Sequence, residues 1–380
     1  MVAAGFNGGQ ADQLRRAMAS WGKSGELEKF QHPIVQGMVK NGYTLEWAER
    51  LFEMMKGFGG YGFPESHSAS FALLVYVSAW MKRHHTSAFY CGLLNSLPMG
   101  FYSPSQLIQD ARRHGIEVRP VDIHNSTWEY QLEDIERKAL GVQPALRIGF
   151  RQIKGFNEDA ARRIENARNN HAFVSLNDVY QRATLSPQER QVLVDADALR
   201  PITGHRHQAH WQDQGVQESR PLFDYEHTQQ DNDNIALDAP SEMESMLSDY
   251  QRLSLTLGKH PMALVRYQEE FKNCLTARDL KHARHGQLAR VAGLVTNRQR
   301  PGTASGILFM TLEDETGNTN VIIWKSLQET FRQEILRGSL LLIKGTLEKS
   351  ADGIIHLIAG HVSDHSNVIN ALTVKSRDFH

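Results

Sequence analysis

The sequence has little cysteine, no excess of charge of one sign, and no long hydrophobic run. Its 380 residues include two cysteines, Cys91 and Cys274, far apart in the chain. So few cysteines argue against a disulfide framework and a Cys-based zinc site, and they favour a reducing, intracellular setting. The 42 Lys and Arg nearly balance the 43 Asp and Glu, so the bulk charge identifies no partner.

Membrane and export signals are also absent from the sequence. The longest apolar run, from Phe71 to Met81, is too short to span a bilayer. The first residues, MVAAGFNGGQADQLRRAM, lack the charged and apolar segments of a signal peptide. We therefore expect a cytoplasmic protein with no membrane partner.

Glycines 57, 59 and 62 spell G-x-G-x-x-G, the dinucleotide-binding fingerprint. That fingerprint requires a preceding buried strand and a following helix N-terminus. Here the preceding residues, TLEWAERLFEMMKG, have apolar positions at helical spacing, with Thr44 as a plausible N-cap and Gly57 as a stop. The pattern thus predicts a glycine-rich connection between two packed helices.

Helical patterns dominate the first 210 residues. Residues 1–115 are predicted to be helical, and residues 116–140 to be an irregular connecting segment. Residues 141–210 contain two similar helical units, the first with a tight turn at Lys154-Gly155-Phe156-Asn157 and the second beginning at Ser186-Pro187. Such pairs resemble helix-hairpin-helix modules, whose turn amides face a nucleic-acid phosphate. Because the basic excess in this block is small, a purely structural helical hairpin remains an alternative.

The second half of the chain changes character twice. Residues 217–250 hold nine acidic residues against one arginine, which predicts a flexible acidic linker over 211–250. A helical connector over 251–285 follows, with a helical segment from Leu264 to Phe271. Five candidate strands, with a helix between the third and fourth, then predict an OB-fold over 286–365 and a tail over 366–380. Phe309 and Trp324 are candidate base-stacking platforms, the alternative being barrel core. The predicted fold class is therefore multidomain, mainly α with tandem helix-hairpin-helix units, followed by a small β-barrel OB-fold.

Several stretches of the sequence, in the same order along the chain, resemble those of a known family. The stretch FGGYGFPESHSASFALLVYVSAWMKRHH resembles the fingers domain of bacterial C-family DNA polymerases of the DNA polymerase III alpha type. ADQLRRAM is similar to their arginine-bearing fingers helix, IGFRQIKGF to their first hairpin, and LTLGKHPM to the approach to their OB domain. PESH and the ending KSRDFH resemble the error-prone, damage-inducible branch. Residues 1–115 would then be the C-terminal part of the fingers domain.

The resemblance implies roles for particular residues. It implies contacts to the triphosphate of the incoming nucleotide by Arg15 and Arg16. His67 is a further candidate for a phosphate contact, the alternative being a cap on the following helix. The candidate DNA contacts are Lys82, Arg83, Arg151, Lys154, Gly155, Asn157, Phe309 and Trp324. For Lys82 and Arg83 the alternative is that they complement the dipole at the end of the apolar helix. Asn157 stands where such hairpins usually have their second glycine. Asn tolerates a left-handed backbone, so the turn can survive. Leu222 and Phe223 fall where replicative relatives bind a sliding clamp, although Ser219 replaces the usual Gln.

The resemblance also bears on metals and partners. The family's palm, which binds Mg²⁺ for the full polymerase, is expected upstream of residue 1, so no catalytic residue and no metal ligand are predicted in this chain. The Asp-x-Asp pairs at 195–197 and 231–233 and the cluster His205, His207 and His210 are not predicted to be metal sites. Expected partners are primed or single-stranded DNA, dNTP, a sliding clamp and other mutasome proteins. A non-catalytic nucleic-acid-binding or polymerase-accessory module remains the alternative.

Overall fold

The computed structural model describes residues 2–19, 27–59, 65–99, 102–134, 143–215, 235–301, 306–350, 353–369 and 377–379. The chain divides into two compact units. One contains Met1–Tyr76, Asn273–Ser366 and Lys375–His380, and the other contains Val77–Lys272 and Asn367–Val374. In the described ranges, no helix is both long and apolar enough to cross a membrane.

The first three helices form a small core of their own. They are α1 (Gly8–Ala19), α2 (Gln31–Lys40) and α3 (Leu45–Gly59). Their apolar faces meet in one cluster that contains Ala4, Leu14, Ile34, Met38, Ala48 and Phe52. Thr44 caps α3 as predicted, since its Oγ1 accepts a hydrogen bond from Trp47 N at 3.4 Å. The predicted stop at Gly57 is wrong: α3 continues to Gly59, because an exposed helical glycine weakens a helix by only about 1 kcal/mol.

Three further helices follow the glycine-rich stretch: α4 (Glu65–His84), α5 (Thr86–Asn95) and α6 (Pro104–Arg113). The sequence SPSQLIQDARRHG predicts Ser103 as the N-cap of α6 and Pro104 as its first residue. Both are confirmed, and Ser103 also forms a capping box with Gln106. α4 differs from its neighbours, because all ten residues from Phe71 to Trp80 are exposed.

The second unit is built around one apolar cluster that extends from Tyr90 to Leu255. A three-stranded sheet contributes β1 (Val118–Arg119), β2 (Gln131–Glu133) and β3 (Ala145–Arg147), in the order β1-β3-β2. The helices that follow the sheet are α7 (Glu158–Asn170), α8 (Leu176–Arg182), α9 (Pro187–Asp195), α10 (Arg200–Thr203), α11 (Arg206–Gly215), α12 (Glu242–Leu253) and α13 (Pro261–Val265).

Two predictions for this unit need correction. The first predicted hairpin helix is instead β3 followed by a single 3₁₀ turn, Phe150–Gln152. A Cβ on Gly149 would lie 2.5 Å from Trp128 O, so the chain there is fixed by a close backbone approach that helical periodicity does not reveal. The helical segment predicted over Leu264–Phe271 is helix only as far as Val265, at the end of α13.

The predicted flexible linker is wrong over its first five residues, which belong to α11, and over its last ten. Ser241 and Glu244 form a capping box that begins α12, and Met246, Tyr250 and Leu253 are buried. Arg206, which is 4% exposed, places Nη2 2.7 Å from Asp249 Oδ1. The acidic residues of this segment therefore cap and pair within a helix, whose residues Met246, Tyr250 and Leu253 are buried at helical spacing.

The last part of the chain is a closed barrel preceded by α14 (Ala277–His282). Its strands are β4 (Leu288–Gln299), β5 (Leu308–Asp314), β6 (Gly317–Ile323), β7 (Leu340–Lys349) and β8 (Ile355–Asp364). The sheet order is β5-β6-β8-β7-β4, and pairing of β4 with β5 closes it. The short strand β9 (Arg377–Phe379) adds to β4 in parallel. All five predicted strands are confirmed, and the order is that of an OB-fold.

The predicted helix between the third and fourth barrel strands is two short helices. They are α15 (Lys325–Thr330) and α16 (Arg332–Arg337), with a break at Phe331. The buried Arg298 donates to the carbonyl oxygens of Ile335 and Gly338 at the end of α16. This cation therefore satisfies helix-terminal carbonyls inside the protein.

We predict that Arg206→Met detaches α12. The change keeps an apolar stem but leaves Asp249 without its cation. Breaking a buried ion pair costs about 3 kcal/mol, so the amides of residues 242–253 should exchange roughly 100-fold faster. Peptide-level hydrogen exchange measures this. The control is Arg162→Met, whose side chain is 64% exposed and pairs with Glu158 on α7; unchanged α12 exchange in Arg206→Met would contradict the prediction.

Candidate nucleic-acid interface

The hairpin turn predicted to grip a phosphate has the expected shape but a different use for Asn157. Gly155 has φ +81° and nothing lies within 4 Å of a Cβ built on it, so the turn is open to solvent at that point. Asn157 has an extended backbone, φ −110° and ψ 158°, and caps α7 by accepting from Ala160 N at 2.7 Å. The turn therefore survives without a left-handed Asn157, since the residue fits it as an ordinary N-cap.

The two basic residues of this hairpin are held by other parts of the same unit. Arg151 donates to Asn95 O at 2.9 Å and to Leu97 O at 3.2 Å, and it also pairs with Glu129. Lys154 Nζ donates to the carbonyl oxygens of Tyr250 at 3.2 Å and Gln251 at 3.0 Å. These carbonyls lie at the C-terminal ends of α5 and α12, where cations stabilise the helix dipole. Neither side chain is aimed at a ligand in this arrangement.

The basic end of α4 is only partly free. Lys82 Nζ lies 3.0 Å from Asp110 Oδ2, and Tyr90 OH donates to the same oxygen. Burial acts to raise the pKa of Asp110, but the hydrogen bonds from Tyr90 and Lys82 outweigh it and hold that pKa below its usual value. Burial and the same hydrogen bond raise the pKa of the Tyr90 hydroxyl. Arg83 is exposed beside this network.

The two arginines of α1 are exposed and share one carboxylate. Arg15 donates to Asp12 Oδ1 from Nε at 3.0 Å and from Nη2 at 2.9 Å. Arg16 Nη2 lies 2.8 Å from Asp12 Oδ2. The hydrogen bond from Arg15 is the main cause of the lowered pKa of Asp12. Both guanidinium groups therefore stand together on the solvent face of α1, whose opposite face buries Leu14. His67 lies on another helix, α4, with its ring 4.4 Å from that of Phe71.

The barrel carries a half-exposed apolar row on its outer face. Phe309 on β5 is paired with Ile322 on β6, and Ile322 is paired with Ile358 on β8. Directly paired residues point to the same side of a sheet. Leu308, Met310 and Leu312 lie on the opposite, buried face. The interpretation of Phe309 as barrel core is thus excluded, and its ring belongs to a surface shared by three strands.

A polar row lies beside this apolar row. It contains Thr311, Asn320 and His356, which are paired across β5, β6 and β8. Sequence reasoning missed Ile322, Ile358, Asn320 and His356. Period-2 alternation along β6 and β8 was the signal available for them, but which strands are neighbours is decided by barrel closure.

Trp324 extends the aromatic surface at the end of β6. Its side chain is 50% exposed, and its carbonyl accepts from Leu327 N and Gln328 N in the first turn of α15. Lys325 follows Trp324 in the chain, and Arg300 lies on the same side of Gly306 as Lys325, since a Cβ built on Gly306 would be 3.7 Å from both Arg300 Nη2 and Lys325 Cδ. Sequence reasoning missed Arg300 and Lys325 as well. An aromatic platform with adjacent cations is the arrangement that binds single-stranded nucleic acid.

The histidine cluster has a structural role. His205 donates to Leu237 O at 3.1 Å and His207 to Asp238 O at 3.0 Å, while His210 lies 3.2 Å from Asp195. These contacts hold the segment that leads into α12. Within the described ranges, no group of three or more His, Cys, Asp or Glu is arranged to hold a metal ion. The candidate clamp-binding residues Leu222 and Phe223 lie outside the described residues.

Comparison with known families gives three matches along the chain. A model described as the bacterial DNA polymerase III alpha subunit finger domain matches residues 1–42. A helix-hairpin-helix motif matches residues 115–209, and an OB-fold nucleic acid binding domain matches residues 289–364. These matches and the closed barrel define a multidomain protein with two nucleic-acid-binding modules, which confirms the predicted fold class.

Whole-chain relatives give the family. The error-prone DNA polymerase of Teredinibacter turnerae is 52% identical over 100% of this chain and 37% of its own length. Those of Pseudomonas paraeruginosa and Saccharophagus degradans are each 50% identical over 100% of this chain, and over 36% and 37% of their own lengths. The chain is thus homologous along its whole length to one portion of bacterial error-prone DNA polymerases, and it spans little more than a third of the length of these relatives. The resemblance stated from the sequence is confirmed.

We predict that the chain binds single-stranded DNA through the barrel surface around Phe309 and Trp324. Phe309→Ala should weaken binding by about 1–3 kcal/mol because a stacking platform is lost. Arg300→Gln and Lys325→Gln should each reduce the slope of log K against log salt by about 0.7, the value for one phosphate contact on a single strand. Titration of a labelled oligonucleotide at several salt concentrations measures both effects.

Arg151→Gln is the matched control in the same titration. Its guanidinium group donates to carbonyls within the fold, so the salt slope should stay at the wild-type value. A wild-type slope in both Arg300→Gln and Lys325→Gln would remove these residues from the interface. A reduced salt slope in Arg151→Gln would show that the hairpin also contacts the DNA.

Proposed function

We propose that this chain is the fingers-to-OB portion of an error-prone DNA-directed DNA polymerase that acts in damage-induced mutagenesis and translesion synthesis. The observation that carries the proposal is the 52% identity to such a polymerase along the entire chain. The activity is a property of the longer protein. In it, this portion contributes contacts to the incoming nucleotide and to the DNA.

The α1 arginines support the nucleotide-binding part of the proposal. A guanidinium group offers paired donors to phosphate oxygens and stabilises the charge that develops in phosphoryl transfer. Arg15 and Arg16 are both exposed and share the single charge of Asp12. The pair therefore keeps a net positive charge, and an arriving triphosphate would exchange one exposed carboxylate for several phosphate oxygens. His67, exposed on α4, is the third proposed contact.

For DNA we propose the barrel surface as the main contact within this chain. Phe309 and Trp324 would stack on bases, and Arg300 and Lys325 would pair with phosphates. The open turn at Gly155 in the hairpin and the exposed Arg83 on α4 remain proposed DNA contacts. Arg151 and Lys154 instead donate to carbonyls of the protein itself. Primed and single-stranded DNA are the proposed ligands.

Catalysis requires two Mg²⁺ ions held by converging carboxylates, which position the attacking 3′-oxygen and the leaving pyrophosphate. The candidate pair Asp195 and Asp197 does not suit this task. Asp195 is bound by Arg252 and His210, and burial raises the pKa of Asp197. We propose that the metal ligands lie in the part of the polymerase that this chain does not match, and that the chain alone incorporates no nucleotide.

Primer extension tests this function. The 380-residue chain with Mg²⁺, all four dNTPs and a primed template should give no extension, because it cannot place the metals. In a polymerase that contains the whole sequence of the relatives, Arg16→Ala should lower nucleotide incorporation at least about tenfold, the size expected for a lost charge-assisted contact to phosphate. DNA binding should change little.

Arg50→Ala is the control, since Arg50 is likewise an exposed arginine on a helix. Extension by the 380-residue chain alone would refute the proposed location of the metal ligands. Equal incorporation by Arg16→Ala and Arg50→Ala would refute the role of Arg16. Failure of the complete polymerase to extend any primer would favour the alternative function, a non-catalytic accessory module that binds nucleic acid.

We also propose weak binding of a sliding clamp by the peptide that contains Leu222 and Phe223. Apolar residues of this kind fill a clamp pocket, but Ser219 lacks the amide of the usual Gln. Replacing both Leu222 and Phe223 with Ala should abolish capture of the chain by immobilised clamp, and Ser219→Gln should strengthen it. An unchanged signal in both variants would assign the peptide to contacts within its own chain.

A further inference from the structure

Helix α4 exposes apolar side chains on all of its sides. The ten residues from Phe71 to Trp80 are exposed without exception, and Tyr76 reaches 70%. The exposed large apolar residues of the helix are Phe71, Leu73, Leu74, Val75, Tyr76, Val77 and Trp80. At 100° per residue these positions surround the helix rather than forming one stripe. No residue of this run belongs to the three apolar clusters of the described chain.

Such a helix does not suit a solvent-exposed role. A helix that bridges two units through water is polar on all sides, whereas one that is apolar all round is buried. Contiguous apolar surface of this size marks an interaction site. The run is followed by Lys82, Arg83 and His84 in the last turn of α4, so the apolar surface ends one turn before the C-terminus of the helix.

The composition and shape of the surface restrict what covers it. From Phe71 to Met81 there is no charged residue, so a nucleic acid would find no cation to pair with its phosphates. A second copy related by a two-fold axis meets the helix from one direction and leaves its far side in water. A helix that is apolar on every side requires a groove that encloses it.

The relatives contain polypeptide of sufficient length to form that groove. The chain aligns with only 36–37% of their lengths, so nearly two thirds of each relative lies outside the aligned part. We propose that α4 is a docking helix that inserts into an apolar groove formed by the rest of the error-prone polymerase. The inference rests on the proposed function only in taking the rest of the polymerase as the partner.

Thiol labelling tests the docking without any measurement of catalysis. Tyr76→Cys is prepared in the 380-residue chain and in the complete polymerase, and the rate of maleimide addition to residue 76 is followed by peptide mass spectrometry. In the isolated chain the thiol should react at the rate of an exposed cysteine. In the complete polymerase it should react at least about tenfold more slowly, because a buried thiol is shielded and less ionised.

Tyr267→Cys is the matched control, because Tyr267 is also an exposed aromatic residue, at 78%, but lies outside α4. It should react at one rate in both proteins. Equal rates for residue 76 in the two proteins would overturn the proposal. So would protection of residue 76 that appears in the isolated chain as its concentration rises, which would identify a second copy, or protection that appears only when DNA is added. Because no nucleotide is used, an inactive polymerase with a protected residue 76 would leave the docking intact and refute only the function.

Discussion

Burial of the apolar cluster from Tyr90 to Leu255 is the constraint on which the second unit depends. Short helices such as α8, with seven residues, and α10, with four, are too short to be stable alone, because helix nucleation is costly. They persist because each buries a face in a common core. The core closes when α12 returns to α9 and α11, and Arg206 and Arg252 bind Asp249 and Asp195 across that contact. The hairpin turn is held by the same return, through Lys154.

Contacts within the fold separate the basic residues of the chain into two groups. The members of one group donate to carbonyls or carboxylates of the protein itself; they are Arg151, Lys154, Arg206 and Arg298. Arg15, Arg16, Arg83, Arg300 and Lys325 remain at the surface. A count of charges in the sequence does not distinguish these groups. Even the small basic excess of the hairpin block overstates the number of cations that the block can offer to DNA.

The surfaces offered to partners differ in chemistry. The α1 arginines form a compact cationic site, the barrel face combines aromatic, amide and basic groups, and α4 is apolar throughout. Burying a large apolar side chain stabilises a protein by about 1.5–3 kcal/mol, so seven such side chains on α4 make covering that helix strongly favourable. A cation pair and a stacking face suit ligands that come and go, whereas the α4 surface suits a permanent contact.

The sequence by itself determined the elements that local physics specifies. The N-caps at Ser103 and Ser186, the five alternating strands and the family motifs each depend on neighbouring residues, so the fold class and the family were predictable. The first hairpin helix, the linker at 241–250 and the stop at Gly57 were predicted wrongly. The linker prediction failed because α12 is held by a contact distant in the chain. The hairpin prediction failed because a close backbone approach fixes the chain at Gly149, and the stop prediction failed because a helix tolerates an exposed glycine. Only the tertiary structure decided that Phe309 shares a face with Ile358, because barrel closure chooses the neighbouring strands. It alone decided that Arg151 and Lys154 donate to carbonyls of the protein itself, because those carbonyls lie 54 to 97 residues away in the chain.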